Sequence, residues 1–153
     1  IRGCAELIQE SDRVFTHICC AVGTGGTLAG LARSADPDQR VLGYPALKAA
    51  DLRESLNKWI PQLNWDLVSG YHFGGYGKIN TGLVSFINDF KARTGIPLDP
   101  VYTGKMVYGI LEDIRLGRLP AGSRILAIHT GGLQGIAGMN MRLKKKNLPL
   151  LHL

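Results

Sequence analysis

Two hydrophobic periods alternate along the chain. Residues 14–22, Val-Phe-Thr-His-Ile-Cys-Cys-Ala-Val, form an unbroken β-branched and apolar run, the pattern of a strand covered on both faces. The run stops at Gly23-Thr24-Gly25-Gly26-Thr27, and then Leu28, Leu31 and Ala32 fall at helical spacing. Residues 40–44 predict a second strand, and residues 46–60 a helix stopped by Pro61. A short strand follows over 65–69. A helix over 81–94 gathers Leu83, Phe86, Ile87 and Phe90 on one face and ends at Gly95. Another spans 106–116, stopped by Gly117. Residues 123–129 read as a second buried strand, and it too ends in a glycine loop, Thr130-Gly131-Gly132. A helical pattern also occupies residues 3–11. Beyond Asn140 no element is evident until 148–153, which read as a packed edge.

Strands alternating with helices predict an α/β fold, a mostly parallel twisted sheet with helices on both faces. Residues 1–139 make one domain and residues 140–153 a basic tail. Ligands of such sheets bind beyond the carboxyl ends of the strands. Both strong strands end in a glycine loop, so the two loops face the same side. A third loop, residues 70–80, combines four glycines with Tyr71, Phe73 and Tyr76. Loops of that length inside a compact domain are usually functional.

Composition narrows the classes. With 45% apolar and 20% charged residues, disordered, collagenous and coiled-coil chains are excluded. No apolar run approaches the ~20 residues of a membrane span. The net charge of +6 is concentrated in Arg142, Lys144, Lys145 and Lys146; elsewhere the charges nearly balance. No nucleic-acid-binding motif accompanies that cluster, which reads as a solvated end. Cys4, Cys19 and Cys20 have no disulfide or zinc spacing and read as buried thiols of a reducing cytoplasm. The four histidines have no metal-ligand spacing. The chain opens Ile-Arg-Gly-Cys without methionine or a secretory signal, and the expectation is the later part of a longer protein.

The first glycine loop carries the most chemistry. Between a buried strand and a helix, such a loop exposes successive backbone N–H groups, and the helix adds its positive end. Glycine lets the main chain approach phosphate oxygens, and Thr24 and Thr27 add hydroxyl donors. Thr27-Leu28 stands where a nucleotide-binding Walker loop needs Lys-Ser or Lys-Thr. Leu28 also takes the place of the third glycine of a dinucleotide fingerprint. A single phosphate monoester fits better than either; a tight turn that binds nothing is the plain alternative.

Residues 22–31 (Val-Gly-Thr-Gly-Gly-Thr-Leu-Ala-Gly-Leu), 75–77 (Gly-Tyr-Gly), 98–105 (Leu-Asp-Pro-Val-Tyr-Thr-Gly-Lys) and 128–132 (Ile-His-Thr-Gly-Gly) occur in that order. Together they resemble the C-terminal half of the pyridoxal-phosphate enzymes that group D-cysteine desulfhydrase with 1-aminocyclopropane-1-carboxylate deaminase. The resemblance implies the tryptophan synthase β-like fold, known as fold type II, with pyridoxal 5'-phosphate as cofactor. It implies that Gly23, Thr24, Gly25, Gly26 and Thr27 cradle the cofactor phosphate. By the same resemblance Tyr76 and Tyr102 are the catalytic residues facing a small amino-acid substrate. Thr130, followed by Gly131, matches the residue that offers a hydroxyl to the pyridine nitrogen. Thr103 stands where the cyclopropane deaminases carry a glutamate. A hydroxyl there leaves the nitrogen neutral and makes a weaker electron sink, which suits β-elimination.

The resemblance therefore implies a D-cysteine desulfhydrase-like lyase releasing a 2-oxo acid, ammonia and sulfide. The alternatives are a cyclopropane-carboxylate deaminase and a non-enzymatic remnant that binds a phosphate ligand. In this family the Schiff-base lysine lies in the N-terminal half, so the chain alone is expected to be inactive. Its implied partners are that half and a second copy in a homodimer, with no nucleic acid and no membrane.

Overall fold

The computed structural model describes residues 7–48 and 50–152. Four parallel strands form one sheet in the order β3-β2-β1-β4: β1 is His17–Val22, β2 Arg40–Pro45, β3 Trp65–Leu67 and β4 Ile125–Ile128. Between them run α1 (Gly26–Ser34), α2 (Leu52–Asn57), α3 (Thr81–Thr94) and α4 (Thr103–Arg115), and α5 (Gly135–Lys145) follows β4.

The alternation of β1 side chains explains why both faces are covered. Ile18, Cys20 and Val22 point into one cluster with Leu28 and Leu31 of α1, Val41 of β2 and Leu56 of α2. Cys19 points the other way, joining Leu42, Tyr44 and Met106 and Ile110 of α4. The neighbouring cysteines thus lie in different cores. Burial pushes the Cys19 thiol up to about 12, so it carries no thiolate at neutral pH. A third cluster joins α3, α5 and the chain end through Leu83, Val84, Ile87, Ile136, Met139, Leu143 and Leu151.

Chain order reverses at β1. The path goes outward through α1 to β2 and β3, then returns through α3 and α4 to β4 on the other side. Helices α1 and α2 pack on one face of the sheet and α4 on the other, the arrangement that right-handed crossovers in the two directions require. The resulting switch point, between β1 and β4, is where an open α/β sheet leaves a crevice. His17 pairs with Ile125 and Cys20 with Ile128, so the loops after Val22 and Ile128 emerge side by side.

Several expected elements change. Residues 3–6 of the first expected helix lie outside the described residues, and Glu10–Val14 form a 3-10 turn. The first strand starts at His17, because the expected residues before it belong to that turn and its exit. The helix expected over 46–60 shrinks to Leu52–Asn57: Ala46 instead donates its N–H to Val22 O at 2.9 Å, continuing the sheet pairing. Residues 125–128 form an edge strand with Ala127 exposed, rather than a strand buried on both faces. Helix α5 crosses residue 140, where no element was expected. Arg142, Lys144 and Lys145 occupy its last turn, where cations complement the helix dipole. Residues 148–153 were expected as an edge; the described part adds no strand, and Leu151 is held by Asn140 through bonds of 2.8 and 2.9 Å. Among the described residues no helix is long and apolar enough to cross a membrane.

Gly43 is a close-approach position in β2. A Cβ there meets Val22 Cγ2 at 2.7 Å and Leu28 Cδ2 at 2.8 Å, both inside the α1-side core. Gly43→Ala is expected to cost about 1–2 kcal/mol from overpacking. The check is a lower denaturant midpoint with an unchanged slope.

Candidate functional site

The site begins where β1 ends. Gly25 has φ +93°, a conformation L side chains rarely adopt, and it turns the chain from strand into α1. The first intrahelical bond runs from Ala29 N to Gly25 O at 2.9 Å, so the amides just before Ala29 precede the helical ladder. No side chain caps this end, and its first turn has no acidic residue. The positive end of the helix is therefore uncompensated.

Ala21, Gly23, Thr24, Gly25, Gly26, Thr27, Tyr102 and Thr130 line one open cavity of about 360 Å³. A Cβ on Gly26 meets nothing within 4 Å, whereas a Cβ on Gly23 comes within 3.2 Å of the Tyr102 ring. The main chain is thus bare on one side and roofed by a phenol on the other. Donor-rich backbone, two threonine hydroxyls and free space at a helix N-terminus fit a phosphate monoester.

Most of the expected site residues come together here. Tyr76 does not line the cavity, but its ring stands edge-on to that of Tyr102, centroids 6.0 Å apart. Burial, and then the neighbouring Tyr76 hydroxyl and Asp99 carboxylate, raise the Tyr102 pKa. Tyr102 accordingly keeps its proton at neutral pH.

Two expected residues lie elsewhere. Thr103 is fully buried; its hydroxyl donates to Asp99 Oδ2 at 2.6 Å and accepts from Asp99 N at 2.9 Å. That hydroxyl serves the start of α4 and does not face the cavity. Gly131 is also outside the lining, its N–H donated to His129 Nδ1 at 3.1 Å while His129 Nε2 bonds Pro97 O at 3.0 Å.

Sequence reasoning missed the residues that hold the wall. Asp99 is buried, and its carboxylate accepts from the N–H groups of Val101, Tyr102 and Thr103 at 2.8, 2.8 and 2.7 Å. It thereby holds the turn that leads into α4 and fixes the Tyr102 backbone. An aspartate a few residues ahead of a helical run is the available signal for such a contact. Asp113 ties the same helix to its surroundings, accepting from Tyr44 at 3.1 Å, Tyr71 at 2.6 Å and Arg118 at 3.2 Å. Lys105 is buried with its ammonium on backbone carbonyls. Burial lowers its pKa to about 8 against the pull of Asp99, which leaves it protonated at neutral pH.

The profile of the family described as pyridoxal-phosphate dependent enzymes matches residues 3–131. A Pyrococcus horikoshii protein named "Putative 1-aminocyclopropane-1-carboxylate deaminase" is 37% identical over 148 residues, covering 88% of this chain and 45% of its own length. A Pyrococcus furiosus protein of the same name is 34% identical over 152 residues, with 88% and 46% covered. The chain thus spans about half the length of these curated relatives. A crystal structure described as an ACC deaminase homologue superposes with a TM-score of 0.81 at 34% identity, covering 94% of this chain and 48% of that one. The processed form of threonine deaminase isoform 2 from Solanum lycopersicum shares the fold, with a TM-score of 0.57 at 18% identity and coverage of 91% and 46%. Matched by the profile along residues 3–131, the chain belongs to the pyridoxal-phosphate dependent enzyme family.

Proposed function

We propose that this chain forms the phosphate-side wall of a pyridoxal-phosphate lyase that deaminates a small amino acid. The observation that carries the reading is the uncapped start of α1 opening onto a cavity whose other walls are Tyr102 and Thr130. In this reading the backbone from Gly23 to Thr27 and the hydroxyls of Thr24 and Thr27 hold the cofactor phosphate. Thr130 offers a hydroxyl across the cavity to the ring nitrogen. Tyr102, held protonated, is a hydrogen-bond donor toward the substrate, and Tyr76 backs it edge-on. When bound, the cofactor supplies an electron sink for the substrate's α-carbon. Among the described residues no lysine lines the cavity, and Lys105 is committed to carbonyls.

The substrate reading shifts toward 1-aminocyclopropane-1-carboxylate. The case for D-cysteine rested on the hydroxyl of Thr103 facing the cofactor, and that hydroxyl is engaged by Asp99. The names of the relatives point the same way. D-Cysteine stays as the second reading, because position 103 still lacks a carboxylate. Ammonia with a four-carbon 2-oxo acid from the first substrate, or sulfide with a three-carbon one from the second, separates them in a catalytically complete form of the protein.

Binding by the chain itself is the direct test. Equilibrium dialysis is expected to show retention of pyridoxal phosphate, at least tenfold weaker retention of pyridoxal, and competition by inorganic phosphate, since each ~1.4 kcal/mol of phosphate contact is worth a factor of ten. Equal retention of the two pyridoxal forms would sink the phosphate-cradle reading.

A further inference from the structure

Lys105 is the second-largest fully buried side chain among the described residues, and the proposed chemistry leaves it unused. Its Nζ donates to Ala46 O at 3.2 Å, His72 O at 2.9 Å and Gly75 O at 2.9 Å. An ammonium has three N–H groups, and each has a carbonyl here. The acceptors come from two separate segments. Ala46 follows β2, and its own N–H is bonded to Val22 O, the residue just before Gly23. His72 and Gly75 belong to the 70–80 loop.

That loop is shaped around the charge. Phe73 has φ 53°, Gly74 97° and Gly75 129°, a left-handed stretch beside the carbonyls that meet at one ammonium. Gly75 N also bonds His72 O at 3.0 Å, and Lys78 N bonds Gly75 O at 3.1 Å. The next residue after Gly75 is Tyr76, whose ring meets Tyr102. Tyr102 stands at the start of the helix that carries Lys105. Helix α4 therefore carries one ring of the pair and the group that tethers the other.

We infer that Lys105 is a positioning residue, a charged pin whose three hydrogen bonds hold the 70–80 loop so that Tyr76 meets Tyr102 beside the cavity. The inference rests on the proposed reading of that cavity as the cofactor and substrate site. Because the acceptors are carbonyls, charge and N–H donors do the holding, and a neutral chain of similar volume does not replace them.

The test uses the whole chain with isotope-labelled tyrosine rings and reads the ring-to-ring nuclear Overhauser contact between Tyr76 and Tyr102. Lys105→Met is expected to lose that contact while the sheet contacts of β1 with β4 persist. Lys105→Ala is expected to lose it too, and to regain it on addition of ethylammonium but not of the donor-free tetramethylammonium. Should these variants fail to fold, the unaltered chain decides. There the Lys105 ammonium hydrogens are expected to exchange about a hundredfold more slowly than those of exposed Lys144. A persisting ring contact in Lys105→Met, or Lys105 hydrogens exchanging as fast as those of Lys144, overturns the inference. Failure of the unaltered chain to bind pyridoxal phosphate, with the ring contact and slow exchange intact, instead overturns the cofactor reading alone.

Discussion

Asp99→Ala is expected to destabilise the chain by about 3 kcal/mol, a large share of the roughly 5–15 kcal/mol that holds a typical domain together. The magnitude follows from what the substitution strands. Three backbone N–H groups at the start of α4, and the Thr103 hydroxyl, all converge on this one carboxylate. Asp99 is 1% exposed, so water does not readily replace it. Asp99→Asn keeps one carbonyl oxygen for Val101 and Tyr102 and loses the other acceptor, so about half the effect is expected. Denaturant midpoints measure both; a loss below 1 kcal/mol for Asp99→Ala would show that the carboxylate is dispensable. The same variant frees Tyr102, so cofactor retention should fall further than stability alone accounts for.

Gly26→Asp separates folding from binding. Position 26 is the first residue of α1, and its missing Cβ faces open space. An aspartate there improves on glycine as a helix former and complements the dipole, so stability should hold or rise by about 0.5–1 kcal/mol. The carboxylate also takes the place of the phosphate and repels it. Retention of pyridoxal phosphate should drop about a hundredfold, equivalent to ~2.7 kcal/mol. Gly26→Ala, a better helix former that carries no charge, should lose far less. Equal losses for the two variants would mean that bulk rather than anion binding governs the site.

Where the sequence was legible, local pattern and tertiary packing agreed. The helix over 81–94 appears with the same bounds, because Asn80 caps Leu83 N, four apolar residues share one side and Gly95 adopts φ 74°. The two glycine loops were placed on one side from strand polarity alone, and the β1–β4 pairing realises that. Helix α4 begins three residues earlier than its apolar pattern, since its first N–H, that of Thr103, is satisfied by Asp99 across Pro100, a contact with no hydrophobic periodicity. Helix α5 was missed because Gly135 and Gly138 argue against a helix, although Ile136, Met139 and Leu143 carry the spacing. The site was legible as a set of loops. Two of its supports, Lys105 and Asp113, were not, because each acts on partners that only the fold brings near; Asp99 acts locally, on residues 101–103, and its one signal is an aspartate ahead of a helical run.

The pairing of β1 with β4 also bears on how the molecule is made. Thr16 and Arg124 are bonded to each other across 108 positions of chain. On a ribosome, the strand and glycine turn that begin the site emerge more than a hundred residues before the segment that supplies Thr130. Until then one flank of the central strand has no neighbour and the cavity has no far wall. The cavity therefore gains its far wall long after the strand that begins it, and closing so long a span makes that step slow relative to local helix formation.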